Sequence, residues 1–189
     1  MQIADIELWI IIEFFLALGI GMGVGSWSTM PYYRLPREEP CAGKWVGKKS
    51  HCVHCGVQLR TRDLVPIFNW LGTRGKCFNC GKPVNPVYFF IELGCTLVSL
   101  WVWSVYGLAD QFYILTLGLG ACLVILCATE YSYRKMPDQV LVVMVMLGFL
   151  YRALTDGQIY DMVVSFTLMV LLCFAYARWW EKMRGIEFP

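Results

Sequence analysis

The chain has 189 residues, 58% of them hydrophobic and 16% charged, with a net charge of +2 and a mean hydropathy of +0.54. Soluble domains usually carry roughly 45–50% apolar and about 25% charged residues, so this balance excludes an ordinary soluble domain. So small a net charge also argues against nucleic acid as a partner.

The apolar residues are gathered into runs. The first, Ile6–Trp27, is interrupted only by Glu7 and Glu13. Residues 1–7 carry Asp5 and Glu7 but no Lys or Arg, unlike the basic start of a cleaved secretory signal, so this run reads as a retained first span. Val87–Tyr106 follows with Glu92 inside it, then Tyr113–Thr129, Val140–Tyr151 and Met162–Trp179. A membrane-crossing helix needs about 20 such residues, within roughly 17–25. Val140–Tyr151 is short and reaches across only as Asp138–Leu154. The predicted fold class is an all-α polytopic membrane protein of about five transmembrane helices, set in membrane lipid. A chain this short could not wrap so many all-round apolar helices in soluble protein.

Charge sets the expected orientation. The segment Pro31–Tyr88 holds ten of the 16 Lys and Arg. Arg134 and Lys135 lie in the turn 131–138, and Arg178, Lys182 and Arg184 lie at the end of the last run. The links Gly107–Gln111 and Thr155–Asp161 have no basic residue, and Arg152 is the one exception to the pattern. Basic loops stay in the cytoplasm. The expected topology has the N-terminus outside, with the large loop, the Glu130 turn and the C-terminus inside.

The large loop contains 51-HCVHCGVQLRTRDLVPIFNWLGTRGKCFNCGKPVNP-86, two C-x-x-C-G knuckles separated by 21 residues. A two-residue gap lets both thiolates of a knuckle reach one ion at ~2.3 Å, so Cys52, Cys55, Cys77 and Cys80 form a candidate four-thiolate zinc site of structural type. Gly56 and Gly81 suit the tight turn behind each pair. Arg74, Lys76 and Lys82 would offset thiolate charge. Two disulfides are the alternative, disfavoured in a reducing cytoplasm. A redox-active C-x-x-C is a further one, and two matching pairs argue against it. His51 and His54 adjoin the site as bystanders, and Cys41 is a spare thiol. Cys95, Cys122, Cys127 and Cys173 lie in apolar runs, where cysteine acts as a small buried hydrophobe.

The order of motifs resembles that of the bacterial type IV prepilin leader peptidases, membrane aspartic peptidases that trim and N-methylate prepilins. The matching stretches are 25-GSWSTMPYYRLP-36, 52-CVHCG-56, 63-DLVPIFNW-70, 74-RGKCFNCG-81 and 88-YFFIE-92. The resemblance divides the chain into a first span (1–30), a cytoplasmic zinc-ribbon-like loop (31–86) and a peptidase-like core of further helices (87–189). It implies a bacterial inner-membrane location and, as partners, pilin-like or secretion-machine membrane subunits.

In that family two aspartates at the cytoplasmic boundary act as acid and base, since two close carboxylates cannot easily both ionise. The stretch 130-EYSYRKMPD-138 aligns with the first aspartate's pattern and places Glu130 at the catalytic position. The second belongs to a G-x-G-D motif that this sequence lacks, and the tail 184-RGIEFP-189 resembles the residues leading into it. Asp156 and Asp161 fall on the predicted outer side, leaving Glu181 and Glu187 as the only substitutes. Glu13 and Glu92 sit inside spans, where ionisable groups are costly; for Glu92 a polar contact between helices, or a place near the boundary, is the expected role. The resulting expectation is a non-catalytic, prepilin-peptidase-like component of a pilus or of a type II or type IV secretion machine. The alternative is an active prepilin leader peptidase/N-methyltransferase cleaving leaders at the cytoplasmic face.

Overall fold

A computed structural model describes residues 3–41, 50–155, 167 and 171. The fifth apolar run, Met162–Trp179, and the carboxylates Asp156, Asp161, Glu181 and Glu187 lie outside the described residues, as does Cys173. The chain divides into two compact units, Met1–Leu147 and Gly148–Pro189. In the second, the described residues are the last turns of a helix, Thr155, Thr167 and Leu171.

Five α-helices are described: α1 (Ile3–Arg34), α2 (Phe68–Gly72), α3 (Val87–Tyr106), α4 (Gln111–Tyr133) and α5 (Asp138–Leu154). Among the described residues there is no strand; the β pairings are two isolated bridges, His51–Gln58 and Lys76–Pro83. Three helices are long and apolar enough to cross a membrane, with mean hydropathies of 2.0 (Glu7–Arg37), 1.5 (Val87–Tyr106) and 2.2 (Gln111–Tyr133). The protein is an all-α polytopic membrane protein with a cysteine-rich loop after its first helix. α5 is helical over 17 residues, with the bounds expected for the short fourth run.

α1 continues beyond the apolar run that ends at Trp27, through Pro31 to Arg34. Proline removes one backbone donor and usually breaks a helix. Here the following turn is held by packing, because Tyr32 is fully buried against Tyr88 and Tyr133.

In lipid, helices associate through close packing and hydrogen bonds rather than through hydrophobic burial. α1 meets α3 along Ala17, Gly21 and Gly25, spaced four apart on one face. A Cβ at Gly21 would come within 2.6 Å of the Ser99 Cβ, and one at Gly25 within 2.7 Å of the Glu92 Cα. The Ser99 hydroxyl donates to the Ala17 carbonyl at 2.6 Å, which leaves the Tyr113 hydroxyl to donate to Ser99 Oγ at 2.7 Å. Three helices therefore share one buried polar contact. Farther along the pair, the Trp103 indole N–H donates to the Glu13 carboxylate at 2.9 Å.

α4 is started by Asp110, whose side chain accepts from the Phe112 N–H at 2.7 Å. It packs on α3 through Val102, Tyr113 and Leu117, and on the first turns of α5 through Cys122, Ile125 and Leu126 against Val140 and Leu141. Cys95 and Cys122 are buried as small hydrophobes, whereas Cys127 is exposed, because it lies on a face of α4 that no described element covers.

Candidate functional site

The two knuckles fold alike. In the first, the Gly56 N–H donates to the Cys52 carbonyl at 2.9 Å and the Cys52 N–H to the Val57 carbonyl at 2.9 Å. In the second, the Gly81 N–H donates to Cys77 at 3.0 Å and the Cys77 N–H to Lys82 at 2.9 Å. Gly56 and Gly81 have φ of 70° and 69°, the left-handed region where glycine alone is unstrained.

This matched geometry brings Cys52, Cys55, Cys77 and Cys80 together, with all four Sγ atoms within 4.8 Å of one another. Cys52 Sγ and Cys80 Sγ are 4.0 Å apart. Tetrahedral thiolates at ~2.3 Å from one ion stand roughly 3.8 Å from each other, so the spacing fits a shared metal ion, while a disulfide needs about 2.05 Å. Four close cysteines could thus hold one metal. Hydrogen bonding to the Val57 backbone, with the Asn79 side-chain amide adding to it, lowers the Cys55 thiol to about 7. Backbone N–H groups of Cys80 and Asn79 lower the Cys77 thiol. The Lys82 backbone favours the Cys80 thiolate, but desolvation and the neighbouring sulfurs outweigh it and push that thiol up to about 11. His51 and His54 are exposed and stand outside the thiol cluster.

The chain between the knuckles returns to the helices. The Arg60 guanidinium grips Asp63 at 2.7 and 3.0 Å and lies 3.7 Å above the Phe78 ring. Asp63 also accepts from the Arg60 N–H at 3.0 Å, capping the 3₁₀ turn Thr61–Leu64, and Arg60 holds its carboxyl below the usual range. At the far end, Trp70 packs on Phe89 of α3 with ring centroids 4.9 Å apart. Glu92 lies near the start of α3, one of the two places expected for it, and its partner is the loop rather than another helix: its carboxylate accepts the Ile67 backbone N–H at 2.7 Å. It joins α3 to the loop.

Glu130 stands on the last turn of α4, away from the thiol cluster and half-buried. Among the described residues, no hydrogen bond or ion pair reaches its carboxylate. The helix end around it is fixed. The Tyr32 hydroxyl donates to Ser132 Oγ at 3.0 Å, and the Arg37 guanidinium donates to the Tyr133 hydroxyl at 3.0 Å while covering the Tyr33 ring at 4.0 Å. The Arg134 N–H closes the helix onto the Glu130 carbonyl at 3.0 Å. This clamp was not anticipated from the sequence, although paired tyrosines at the ends of two apolar runs, 32-YY-33 and 131-YSY-133, were a readable signal.

Residues 20–106 match the model of the bacterial peptidase A24 N-terminal domain, a range that holds all four cysteines and Glu92 but not Glu130. The chain is 30% identical over 159 residues to the prepilin leader peptidase/N-methyltransferase of Stutzerimonas stutzeri, covering 72% of this chain and 54% of that protein. It is 27% identical over 153 residues to that of Pseudomonas putida, covering 71% and 53%. With that of Dichelobacter nodosus it shares 30% identity over 107 residues, 53% of this chain and 35% of that protein. The chain thus spans about half the length of the curated relatives it matches first. No solved structure matches.

Proposed function

The chain belongs, through residues 20–106, to the family of the bacterial peptidase A24 N-terminal domain, and from that membership we propose a prepilin-peptidase-like inner-membrane protein that serves a pilus or secretion machine without cutting its substrates. The observation that carries this reading is Glu130. It occupies the position at which the resemblance places the first catalytic aspartate, on a helix end held by Tyr32–Ser132 and Arg37–Tyr133. Glutamate is one methylene longer than aspartate, so on a helix end fixed by these contacts its carboxylate stands farther from the backbone. A displacement near ~1 Å costs about a hundredfold in rate. The protein keeps the fold that receives a pilin-like transmembrane helix, and its partners are such helices or the machine's other membrane subunits.

The four cysteines hold one structural Zn²⁺, which ties the two knuckles together. The loop and the Glu130 turn face the cytoplasm, as the distribution of Lys and Arg supports.

The test mixes purified protein in detergent with a prepilin and follows leader cleavage. No cleavage is expected from the native chain, while a photocrosslinker at Trp27, which is 63% exposed, captures the uncleaved pilin helix. Cleavage abolished by Glu130→Gln would overturn the reading. The second reading, an active leader peptidase/N-methyltransferase, is favoured by the names of the aligned relatives and predicts that outcome.

A further inference from the structure

Ten consecutive uncharged residues, 64-LVPIFNWLGT-73, form the tip of the segment between the knuckles. Arg60 and Arg62 precede the tip, and Arg74 and Lys76 follow it. In water such a tip would fold its apolar side chains inward. Here Phe68 is 60% exposed, Leu71 52%, and Leu64 and Val65 43% each.

Two rulers place the tip along the membrane normal. The Ile67 N–H is bonded to the Glu92 carboxylate of α3, and Glu92 lies about 7 Å along the axis from Val87, where the span begins. The backbone of Glu92 in turn abuts Gly25 of α1, roughly 13 Å along that helix from Arg34. Both helices are long and apolar enough to cross a membrane, so Ile67 lies below the level of Val87 and Arg34. Phe90, on the first turn of α3, is 62% exposed.

Several backbone groups of the tip are also paired locally, which suits lipid, where an unpaired N–H is costly. Pro66 has no N–H, and the Phe68 N–H closes onto the Pro66 carbonyl at 2.6 Å. The N–H groups of Asn69 and Leu71 donate to Val65 and Ile67 at 3.1 Å each. The Ile67 N–H, on a residue with φ of 63°, finds no local carbonyl, and the α3 carboxylate takes it.

We infer that Leu64–Leu71 is an interfacial wedge that inserts Phe68 and Leu71 into the lipid at the headgroup–acyl boundary, with Arg62, Arg74 and Lys76 on anionic headgroups. The partner is the bilayer itself, which already surrounds α3. Segments of this length with basic flanks occupy that boundary to a depth of about 5–10 Å. Glu92 is the positioning residue that holds the wedge at its depth. None of this rests on the proposed loss of peptidase activity.

The test places benzoylphenylalanine singly at Phe68, Leu71 and Val53 in the full chain, reconstituted in phosphatidylethanolamine–phosphatidylglycerol vesicles. Val53 serves as control because it is as apolar and, at 57%, as exposed, but sits on the first knuckle. After illumination, lipid adducts are expected at Phe68 and Leu71 at least fivefold above those at Val53. Absence of lipid adducts at Phe68, adducts to a second copy instead, or equal labelling at Val53 would each overturn the inference. Glu92→Leu should lower labelling at Phe68, and Glu92→Gln, whose amide oxygen still accepts, should restore it. Should Glu92→Leu fail to fold, the comparison on the native background still decides.

Discussion

The Trp103 indole N–H donates to the Glu13 carboxylate at 2.9 Å between two membrane helices. A carboxylate within a span is expensive unless paired, and here its partner is a neutral donor. Replacing Glu13 by Gln keeps an acceptor for Trp103. Glu13→Leu removes it, with an expected loss of about 0.6 kcal/mol, and at most roughly 1.7, in line with hydrogen bonds between membrane helices. Reversible unfolding in mixed micelles reads the difference. A loss for Gln as large as that for Leu would show that charge, not the hydrogen bond, is what α1 requires.

The contact of α1 with α3 depends on missing side chains. Gly21→Ala and Gly25→Ala each place a methyl within 3 Å of α3, and overpacking of this kind costs typically 1–3 kcal/mol. Gly19 and Gly23 have no such neighbour, so alanine there should be neutral or favourable by up to about 1 kcal/mol through helix propensity. Thermal unfolding in detergent separates the two pairs. Equal losses at all four positions would contradict the observed face.

Metal analysis should find about one zinc per chain. Removing it with a chelator, or by Cys52→Ser with Cys77→Ser, should open the segment 50–85 to protease while the helical circular dichroism of the spans persists. Zinc retained by the double serine variant would rule out a four-thiolate site.

The pairing of Asp63 with Arg60 has a pH signature. The folded carboxyl titrates below its ordinary value, near 3.9 in unfolded chains. Its contribution to the loop is therefore complete above about pH 4 and is lost as pH falls through the lowered folded value. Protease sensitivity of the loop should rise on acidification below that point. Asp63→Asn should lack this part of the rise, keeping only the part that protonation of the thiolates and release of their metal produce in acid.

Much of this was legible from the amino acids. The run Val87–Tyr106 is α3, and the extension needed by the short fourth run, Asp138–Leu154, is α5. The cysteine spacing anticipated a cluster of four sulfurs because a C-x-x-C-G turn is local, and local geometry is encoded where it occurs. Partners distant in sequence were harder to read. Glu92 could be recognised as costly, but nothing in 88-YFFIE-92 names Ile67 as its partner, since that pairing depends on how the loop folds back. Likewise the end of α1 could not be read past Pro31, because the tyrosine contacts that sustain it come from α3 and α4.

The glycine face of α1 also bears on how the protein is made. Synthesis runs from the N-terminus, so α1 reaches the bilayer while its partner surface on α3 is still to be translated, beyond the whole cysteine loop. During that interval the groove at Gly21 and Gly25 and the carboxylate of Glu13 face lipid or the insertion machinery. The loop closes on α3 only when Glu92 emerges. Assembly is thus ordered in time, and the first span is a waiting half-site that becomes committed when the second span, α3, arrives.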